Sequence, residues 1–358
     1  MFDNLVYNKN MDITTIMQGY DAIVVTSSAN LFYLSGIASS DAMIMLTNER
    51  SVYITSKLYE VEASEKLPSS FDLEITDRAS YITYLRRELT SCAKVGVEMR
   101  SMTADVYFKI FDSLKCVVSD ISERFDLLRT GKRSSELRCI KRAEAMVDAA
   151  FDATIPLLVE GITEKEVRAI LQNAMLREGA DGFAFDTIVA FGENAAKPHA
   201  VPSDRPLKKG DCIVMDFGAK CNGYCSDFTR TLYCGEPNKS FKAAYDLVLK
   251  AQTDAIDYLL NGGRNCREAD SVARNVIDRS AFRGCFTHTL GHGVGIEIHE
   301  APTLSQKSTE LLLEGEVFTV EPGIYVEGEF GIRIESLLTI ENGKVTVIDR
   351  SNKEIITV

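Results

Sequence analysis

The sequence predicts an α+β protein of two domains, a smaller α/β domain followed by a larger α+β domain. A chain of 358 residues is long for one hydrophobic core, which favours two domains. Short apolar strands alternate with helices in the first third, where no histidine occurs. Beyond residue 130, helical patterns alternate with strands that carry acids. We therefore expect domains over residues 1–125 and 130–358, separated within the polar stretch 119–133.

The strands of the first domain are predicted from apolar and β-branched runs. "AIVVT" at 22–26 and "KVGVE" at 94–98 predict short strands, the first of them buried. "AMIMLTNERSVYITS" at 42–56 predicts two strands joined at Asn48-Glu49.

The helices of the second domain are predicted from apolar residues at helical spacing. The first is indicated by Leu137, Ile140, Ala143, Val147 and Phe151. The pair Ser134-Ser135 is expected to cap it. In the next helix, Thr163 and Glu166 fit a capping box. Ser240 is expected to cap a third helix, which ends at "NGG", 261–263.

Composition excludes several classes of function. The net charge of −12 opposes binding to nucleic acid or to an anionic membrane. The N-terminal stretch lacks the apolar core of a signal peptide, and no run of about 18 apolar residues could span a bilayer. The nine scattered cysteines include no CxxC pair. They predict free thiols in a reducing cytoplasm rather than a zinc site at Cys221, Cys225 and Cys234.

Four acids occupy predicted strand positions that are otherwise apolar: Asp216, Asp227, Glu321 and Glu335. A buried carboxylate must be protonated, paired or bound to a metal, because an isolated buried charge is very costly. Ion pairs with Arg230 and Arg333 are the alternative to metal binding. Two arginines could form ion pairs with two of the acids but not with all four.

Three of the four histidines, His288, His292 and His299, lie within twelve positions. His292 stands between Gly291 and Gly293, where backbone can approach closely and an imidazole can point into a pocket. Imidazole beside carboxylates favours a transition metal over calcium. "GHGVG" does not fit GxGxxG, and no Glu follows His288 as HExxH requires. Two divalent ions in such a set would acidify a water and polarise a carbonyl, so hydrolysis is the expected reaction class.

Four motifs, taken in order, resemble one family of enzymes. "DFGAKCNGYCSDFTRT", "HTLGHGVGIEIHEAP", "VEPGIY" and "GIRIE" resemble the Xaa-Pro aminopeptidases and prolidases. The resemblance implies the pita-bread fold, a pseudo-twofold αβ catalytic domain shared with methionine aminopeptidases and creatinase. "NLFYLSG" at 30–36 is similar to the signature of the family's creatinase-like N-terminal domain.

Roles for individual residues follow from this resemblance. It implies five metal ligands: Asp216, Asp227, His292, Glu321 and Glu335. Asp227 and Glu335 would bridge two metals, and Glu321 would also carry a proton from the attacking water. His199, on a loop between Pro198 and Pro202, and His299 would face the substrate. Three further residues are expected to support the ligands: His288, Arg333 and Thr229. The chain departs from the family at Ser336, where Asp is frequent, and Lys197 is expected to alter the charge of the site.

The expected cofactors are two divalent ions, Mn²⁺ or Co²⁺ in preference to Zn²⁺ or Fe²⁺. The resemblance implies an Xaa-Pro aminopeptidase acting on proline-containing peptides, with an Xaa-Pro dipeptidase (prolidase) as the alternative. It also implies a homodimer. A non-catalytic peptide-binding member of the fold and a creatinase-like C–N hydrolase without metal are less favoured, because all five ligand positions are present.

Overall fold

The chain divides between Arg129 and Thr130 into two compact units in the computed structural model. The structure describes residues 13–77, 80–112 and 114–358. The expectation about a signal peptide falls mostly on residues 1–12, which lie outside the described residues. Among the described helices, none is both long and apolar enough to cross a membrane.

The first unit contains one six-stranded sheet with the strand order β4-β3-β2-β1-β5-β6. Its strands are β1 (Ala22–Val25), β2 (Ala42–Thr47), β3 (Ser51–Thr55), β4 (Phe71–Ile75), β5 (Lys94–Val97) and β6 (Val117–Asp120). Its helices are α1 (Ile13–Met17), α2 (Ser28–Ser35), α3 (Glu60–Lys66), α4 (Ser80–Glu88), α5 (Ala104–Phe111) and α6 (Ser122–Thr130). β1 pairs antiparallel with β2 and parallel with β5. The three predicted strand regions are confirmed.

Strand β1 is apolar throughout because both of its faces are covered. Ile23 and Val25 join one core cluster, which contains residues of α1, α2 and α6. Ala22 and Val24 join the other, which contains residues of α4 and α5. The first unit is therefore an α/β layer structure, as the sequence predicts.

The second unit has four long helices and several small sheets. The helices are α7 (Ser134–Thr154), α8 (Glu164–Arg177), α9 (Lys239–Leu260) and α10 (Cys266–Asp278). The strands before α9 are β7 (Gly182–Phe183), β8 (Ile188–Phe191), β9 (Cys212–Phe217), β10 (Ala219–Cys221), β11 (Tyr224–Cys225) and β12 (Phe228–Tyr233). Those after α10 are β13 (Gly291–Gly293), β14 (Glu300–Leu304), β15 (Val317–Val320), β16 (Gly323–Val326), β17 (Phe330–Arg333), β18 (Ser336–Glu341) and β19 (Lys344–Val347).

Two similar halves make up this unit. In the first half, α7 and α8 share a hydrophobic core with the antiparallel sheet β12-β9-β8. In the second half, α9 and α10 share a core with the sheet β14-β13-β15-β18-β19. Each half therefore consists of a helix pair on an antiparallel sheet, which is the arrangement that a pseudo-twofold domain requires.

The predicted helix boundaries of the second unit are confirmed in part, and two of its strands are joined by a tight turn. Asn222 and Gly223 both have positive φ, 48° and 80°, and join β10 to β11 in a tight turn. The capping box of Thr163 and Glu166 is present at the start of α8. Ser240 is not a cap, because Asn238 accepts a hydrogen bond from Phe241 N at 2.9 Å and α9 begins earlier.

The start of α7 also differs from the prediction. Ser134 is its first helical residue, and Arg133 is the capping position. The Glu136 carboxylate accepts a hydrogen bond from Arg133 N at 2.6 Å, so it satisfies one of the free amides at the start of the helix. The prediction that Ser134-Ser135 caps this helix is therefore wrong.

The four acids lie at strand ends more than within strands. Asp216 is inside β9, whereas Asp227 directly precedes β12 and Glu335 directly precedes β18. Glu321 directly follows β15, which ends where Pro322 lacks the N–H needed to continue a ladder. The prediction of four strand positions is therefore correct only for Asp216.

Candidate metal centre

The five predicted ligands come together in the second unit. Asp216, Asp227 and Glu335 each place a carboxylate oxygen within 4.8 Å of the others. His292 Nε2 lies 3.5 Å from Asp227 Oδ2 and 3.2 Å from Glu321 Oε1. We call Asp216, Asp227, Glu321 and Glu335 the carboxylate cluster.

Pairing between strands brings two of these acids together in the first half of the unit. In the β9–β12 ladder, Thr229 stands opposite Asp216, and Asp227 lies two residues before Thr229. Glu335 N donates to Thr229 O at 3.2 Å, which joins the segment carrying Glu335 to the same ladder. Thr229 Oγ1 donates to Glu335 Oε2 at 2.8 Å. The predicted support of a ligand by Thr229 is thus present as a contact.

His292 and Glu321 are placed by a second set of strands. His292 lies in the middle of β13, beside β15. Its backbone N donates to Thr319 Oγ1 at 3.1 Å, and that hydroxyl donates to Glu321 Oε1, also at 3.1 Å. The neighbouring glycines are required here. A Cβ at Gly291 would collide with the carbonyl of Thr319, and one at Gly293 with the carbonyl of Ala301.

The hydrogen bonds of His292 determine which ring nitrogen can bind a metal. Its Nδ1 lies 3.1 Å from Gly293 O. A carbonyl only accepts, so Nδ1 carries a proton. In the neutral ring, Nε2 then presents a lone pair toward the carboxylate cluster. Burial opposes protonation of Nε2, but hydrogen bonding to Glu321 outweighs it and raises the pKa of His292.

Burial and like charges dominate the electrostatics of the cluster. Burial, with repulsion from neighbouring acids, raises the pKa of Asp227 and Glu335 well above the usual carboxyl values. Burial also raises the pKa of Asp216, although Arg333 opposes it. Glu321 differs: burial disfavours its charge, but His292, His288 and Arg333 lower its pKa to about 2. Three of the four acids therefore lack adequate compensation from the protein.

Arg333 is the cation that the protein places against the cluster. Its Nη2 donates to Asp216, and its Nε donates to Thr229 Oγ1 at 3.2 Å. Its Nη1 donates to Tyr325 OH at 2.7 Å and to Pro198 O at 3.3 Å. Arg333 therefore contacts an acid, the hydroxyl that holds a second acid, and the loop that carries His199.

Arg230 does not neutralise the cluster, contrary to the hypothesis that it pairs with one of the four acids. Its Nη2 pairs with Asp349 Oδ2 at 2.8 Å, and both side chains are buried. Its Nη1 donates to the backbone carbonyls of Thr229, at 2.9 Å, and Glu335. Ser336 Oγ lies 3.3 Å from Asp349 Oδ2, so the residue that departs from the family joins this network. Arg230 thus holds backbone behind the cluster.

His288 is engaged through both ring nitrogens. Its Nδ1 donates to Thr289 O at 2.8 Å, so Nε2 accepts from Tyr325 OH at 2.9 Å. Tyr325 OH in turn accepts from Arg333. Burial lowers the pKa of His288 despite the nearby Glu321, which keeps the ring neutral. His288 therefore has no free nitrogen for a metal and extends the contacts of Arg333.

The carboxylate cluster, His199, His288, His292 and His299 line one cavity of about 590 Å³. The rings of His299 and His292 meet edge to face with centroids 4.3 Å apart. Burial and the charge of His292 lower the pKa of His299. His199 is exposed on the loop that follows a 3₁₀ turn at Gly192–Ala196. Lys197 is not among the lining residues; its Nζ donates to Asn194 Oδ1 at 3.0 Å, which leaves the expected effect of Lys197 on the site unsupported.

Sequence reasoning missed three residues that organise this site. Tyr325 lies inside the quoted motif "VEPGIY", which was the available signal. Thr319 stands between Phe318 and Val320 in the otherwise apolar β15, and the sequence offered no signal for its role. Glu164, known only as a helix-start residue, is fully buried and accepts from Phe191 N and Ser203 N, both at 2.8 Å. It therefore fastens the ends of the loop that carries His199.

The arrangement fits divalent cations. Carboxylate oxygens and one imidazole nitrogen converge, which is a donor set for a transition metal. Glu335 Oε1 is buried and has no hydrogen-bond partner within the described part of the chain. A buried, unsatisfied anionic oxygen among like charges is costly unless a cation binds there.

Comparison with known proteins agrees with this geometry. Residues 138–342 match metallopeptidase family M24, and residues 16–130 match the creatinase/prolidase N-terminal domain. A Xaa-Pro dipeptidase of Pyrococcus horikoshii is 33% identical over 345 residues, covering 94% of this chain and 94% of that protein.

Solved structures show the same fold over nearly the whole chain. The X-Pro aminopeptidase of Thermotoga maritima superposes with a TM-score of 0.88 at 33% identity, covering 97% of this chain and 100% of that one. The prolidase of Pyrococcus furiosus gives a TM-score of 0.86 at 31% identity, covering 95% and 100%. The predicted pita-bread domain behind a creatinase-like N-terminal domain is confirmed, as is the family resemblance. The chain is therefore a metal-dependent peptidase that belongs to metallopeptidase family M24.

Proposed function

We propose that the protein is a dinuclear Xaa-Pro peptidase that releases the N-terminal residue of Xaa-Pro peptides. The observation that carries the proposal is the convergence of His292 Nε2 with the carboxylate cluster in a cavity that His199 and His299 also line. The relatives from Pyrococcus and Thermotoga, a dipeptidase and an aminopeptidase for Xaa-Pro bonds, support this substrate class. The proposed cofactors are two divalent ions, Mn²⁺ or Co²⁺ in preference to Zn²⁺ or Fe²⁺.

The carboxylate cluster and His292 Nε2 would hold the two ions, and Asp227 and Glu335 would be shared between them. When bound, such a pair of cations supplies an acidified water and polarises the scissile carbonyl. Arg333 orients Asp216 and Thr229 orients Glu335, each by a hydrogen bond to the carboxylate. His288 would hold the hydroxyl of Tyr325, and that hydroxyl accepts a hydrogen bond from Arg333.

The remaining proposed roles concern protons and the substrate. Glu321 is ionised at neutral pH, because its pKa is lowered to about 2. Its carboxylate can therefore receive a proton from the attacking water and pass it to the departing amine. His299, whose pKa is lowered, is a neutral imidazole that can donate a hydrogen bond to the developing oxyanion. His199 is placed to steady the scissile amide.

An Xaa-Pro dipeptidase is the second candidate, and one observation favours it. The cavity is also lined by Arg168, whose guanidinium could neutralise the carboxylate of a short peptide. We further propose a homodimer, from the family resemblance, and a cytoplasmic location. All nine cysteines are free, which suits a reducing compartment.

We expect the metal-loaded protein to release alanine from Ala-Pro-Ala. The same assay is made with Ala-Pro and with Ala-Gly-Ala. Cleavage of Ala-Pro alone would identify a dipeptidase, and cleavage of the tripeptide an aminopeptidase. Ala-Gly-Ala, which lacks the imide bond, is expected to be cleaved poorly. If no alanine is released from Ala-Pro or from Ala-Pro-Ala with Mn²⁺, Co²⁺ or Zn²⁺, the proposed function is wrong.

His299→Ala should lower kcat by roughly 10²- to 10⁴-fold, the range for one oxyanion donor or acid–base group. The metal content should stay at the wild-type value, because His299 is not a proposed ligand. Steady-state kinetics and elemental analysis of the same preparation check both statements. Reduced metal content in this variant would contradict the assignment.

His292→Ala should lose bound metal and nearly all activity while remaining folded. The imidazole provides the only nitrogen among the proposed ligands, so its removal leaves fewer donors for both ions. Elemental analysis and circular dichroism give the two readouts. His288→Ala is the matched control and should retain metal, since both nitrogens of His288 are already engaged. A His292→Ala protein that binds two metals normally would overturn the ligand assignment.

Asp227→Asn should stabilise the metal-free protein, because it removes one of the mutually repelling charges in the cluster. We expect a gain of about 1–3 kcal/mol in the free energy of unfolding, the scale of an uncompensated buried charge. Added Mn²⁺ should raise the Tm of the wild type but much less that of the variant. Melting curves in chelator and in Mn²⁺ measure this. Asp152→Asn, at an exposed position on α7, is the charge-matched control and should change neither curve.

A further inference from the structure

A second arginine, Arg168, lines the cavity together with Arg333. Arg333 is fully engaged by Asp216, Thr229, Tyr325 and a backbone carbonyl. Arg168, which is half-buried on α8, forms no hydrogen bond and no ion pair within the described ranges of the chain. It also makes no ion pair there with Asp186, an exposed acid that lines the same cavity. Its guanidinium is therefore available to an incoming group.

The position of Arg168 is determined by its neighbour one helical turn earlier. Glu164 and Arg168 are four residues apart and share one face of α8. Glu164 accepts hydrogen bonds from Phe191 N at 2.8 Å and from Ser203 Oγ at 2.6 Å. This face of α8 is therefore fixed against the ends of the loop that carries His199. Arg168 and His199 consequently line the cavity from elements that are bonded to each other.

The acids around the cavity indicate what this guanidinium would bind. Five acids line the cavity: Asp186, Asp216, Asp227, Glu321 and Glu335. A peptide substrate brings its own carboxylate at the C-terminus, and repulsion by these acids would oppose its entry. A guanidinium binds a carboxylate through two parallel hydrogen bonds, which suits it for this anion. Among the lining residues, Arg168 is the guanidinium that no acid has already engaged.

We propose that Arg168 binds the C-terminal carboxylate of a short Xaa-Pro substrate and is a residue that selects for peptide length. The inference rests on the proposed function. Peptides whose carboxylate reaches Arg168 bind more tightly than longer peptides or peptides with a blocked C-terminus. A dipeptide and a tripeptide both present a C-terminal carboxylate. Kinetics with peptides of both lengths show which of the two carboxylates Arg168 binds.

Kinetics of Arg168→Gln on paired substrates test this role. Each peptide, Ala-Pro and Ala-Pro-Ala, is compared with its C-terminal amide, which lacks the negative charge. The variant should lose about 10- to 100-fold in kcat/KM for one of the free acids, mainly through KM, the loss typical of one charge-assisted contact. The amides should change less than about 2-fold. The acid that suffers the loss shows which peptide length reaches Arg168.

Two further variants make the test specific. Arg168→Lys keeps the charge and should recover part of the lost affinity for the acid. Arg177→Gln removes the same charge from the exposed end of α8 and should behave as wild type. Equal losses for acids and amides in Arg168→Gln would indicate a structural effect and overturn the proposal. So would the absence of any loss.

Binding of a product analogue separates this inference from the proposed function. Calorimetry of metal-loaded protein compares L-proline and Pro-Ala, the products of the two peptides, with their C-terminal amides. One of the two acids should bind more tightly than its amide, and Arg168→Gln should abolish that preference. If the wild type cleaves no proline peptide, the proposed function fails while calorimetry still decides the role of Arg168. Equal affinities of wild type and variant for both L-proline and Pro-Ala would refute the carboxylate contact.

Discussion

Mutual repulsion among four buried carboxylates is the constraint on which the second unit depends. Asp216, Asp227 and Glu335 bring oxygens within 4.8 Å of one another, and Glu321 is joined to them through His292. Arg333 and the hydrogen bonding of His292 compensate only part of this charge. A protein interior tolerates such a group only when cations or protons complete the balance. The same imbalance that destabilises the metal-free protein provides the free energy for metal binding.

The surrounding side chains hold the ligands rather than neutralise them. Arg333, Tyr325 and His288 form a continuous chain of hydrogen bonds, and Thr229 and Thr319 each hold one acid. Farther back, Arg230 pairs with Asp349. Glu144 is fully buried beside this network, and within the described residues neither of its carboxyl oxygens has a hydrogen-bond partner. Burial and the charge of Asp349 raise the pKa of Glu144 well above its usual value.

The cavity combines two kinds of recognition in one space. Neutral or exposed histidines adjoin the carboxylate cluster, to which we assign the chemistry of hydrolysis. Arg168 lines the same cavity from α8, whose Glu164 also fixes the loop of His199. A change in the packing of α8 would therefore affect both His199, to which we assign the scissile amide, and Arg168, to which we assign the substrate carboxylate. In the proposed function, the residues for specificity and catalysis would depend on the same helix.

Much of the site could be predicted from the sequence because the types of its residues and their positions indicate the chemistry. Acids interrupting apolar runs required an explanation, and glycines around His292 marked a place of close backbone approach. The four motifs then indicated the family. In the same way, alternating apolar patterns located the strands of the first unit, and Thr163 with Glu166 located the start of α8. Helix caps were less certain, since Asn238 and Ser240 are both suitable and only the packed helix selects between them.

Only the tertiary structure decided which arginine pairs with which acid. Arg230 and Arg333 are equivalent in the sequence, yet strand pairing directs Arg333 to Asp216 and Arg230 to Asp349. It also decided that His288 is engaged by a carbonyl and a tyrosine hydroxyl, while His292 Nε2 faces the carboxylates of Asp227 and Glu321, because each tautomer depends on the carbonyl nearby. The availability of Arg168 is likewise a property of the fold. Residue types and spacing determine which groups the chain possesses; distances between strands and helices, set by packing, determine which of those groups meet.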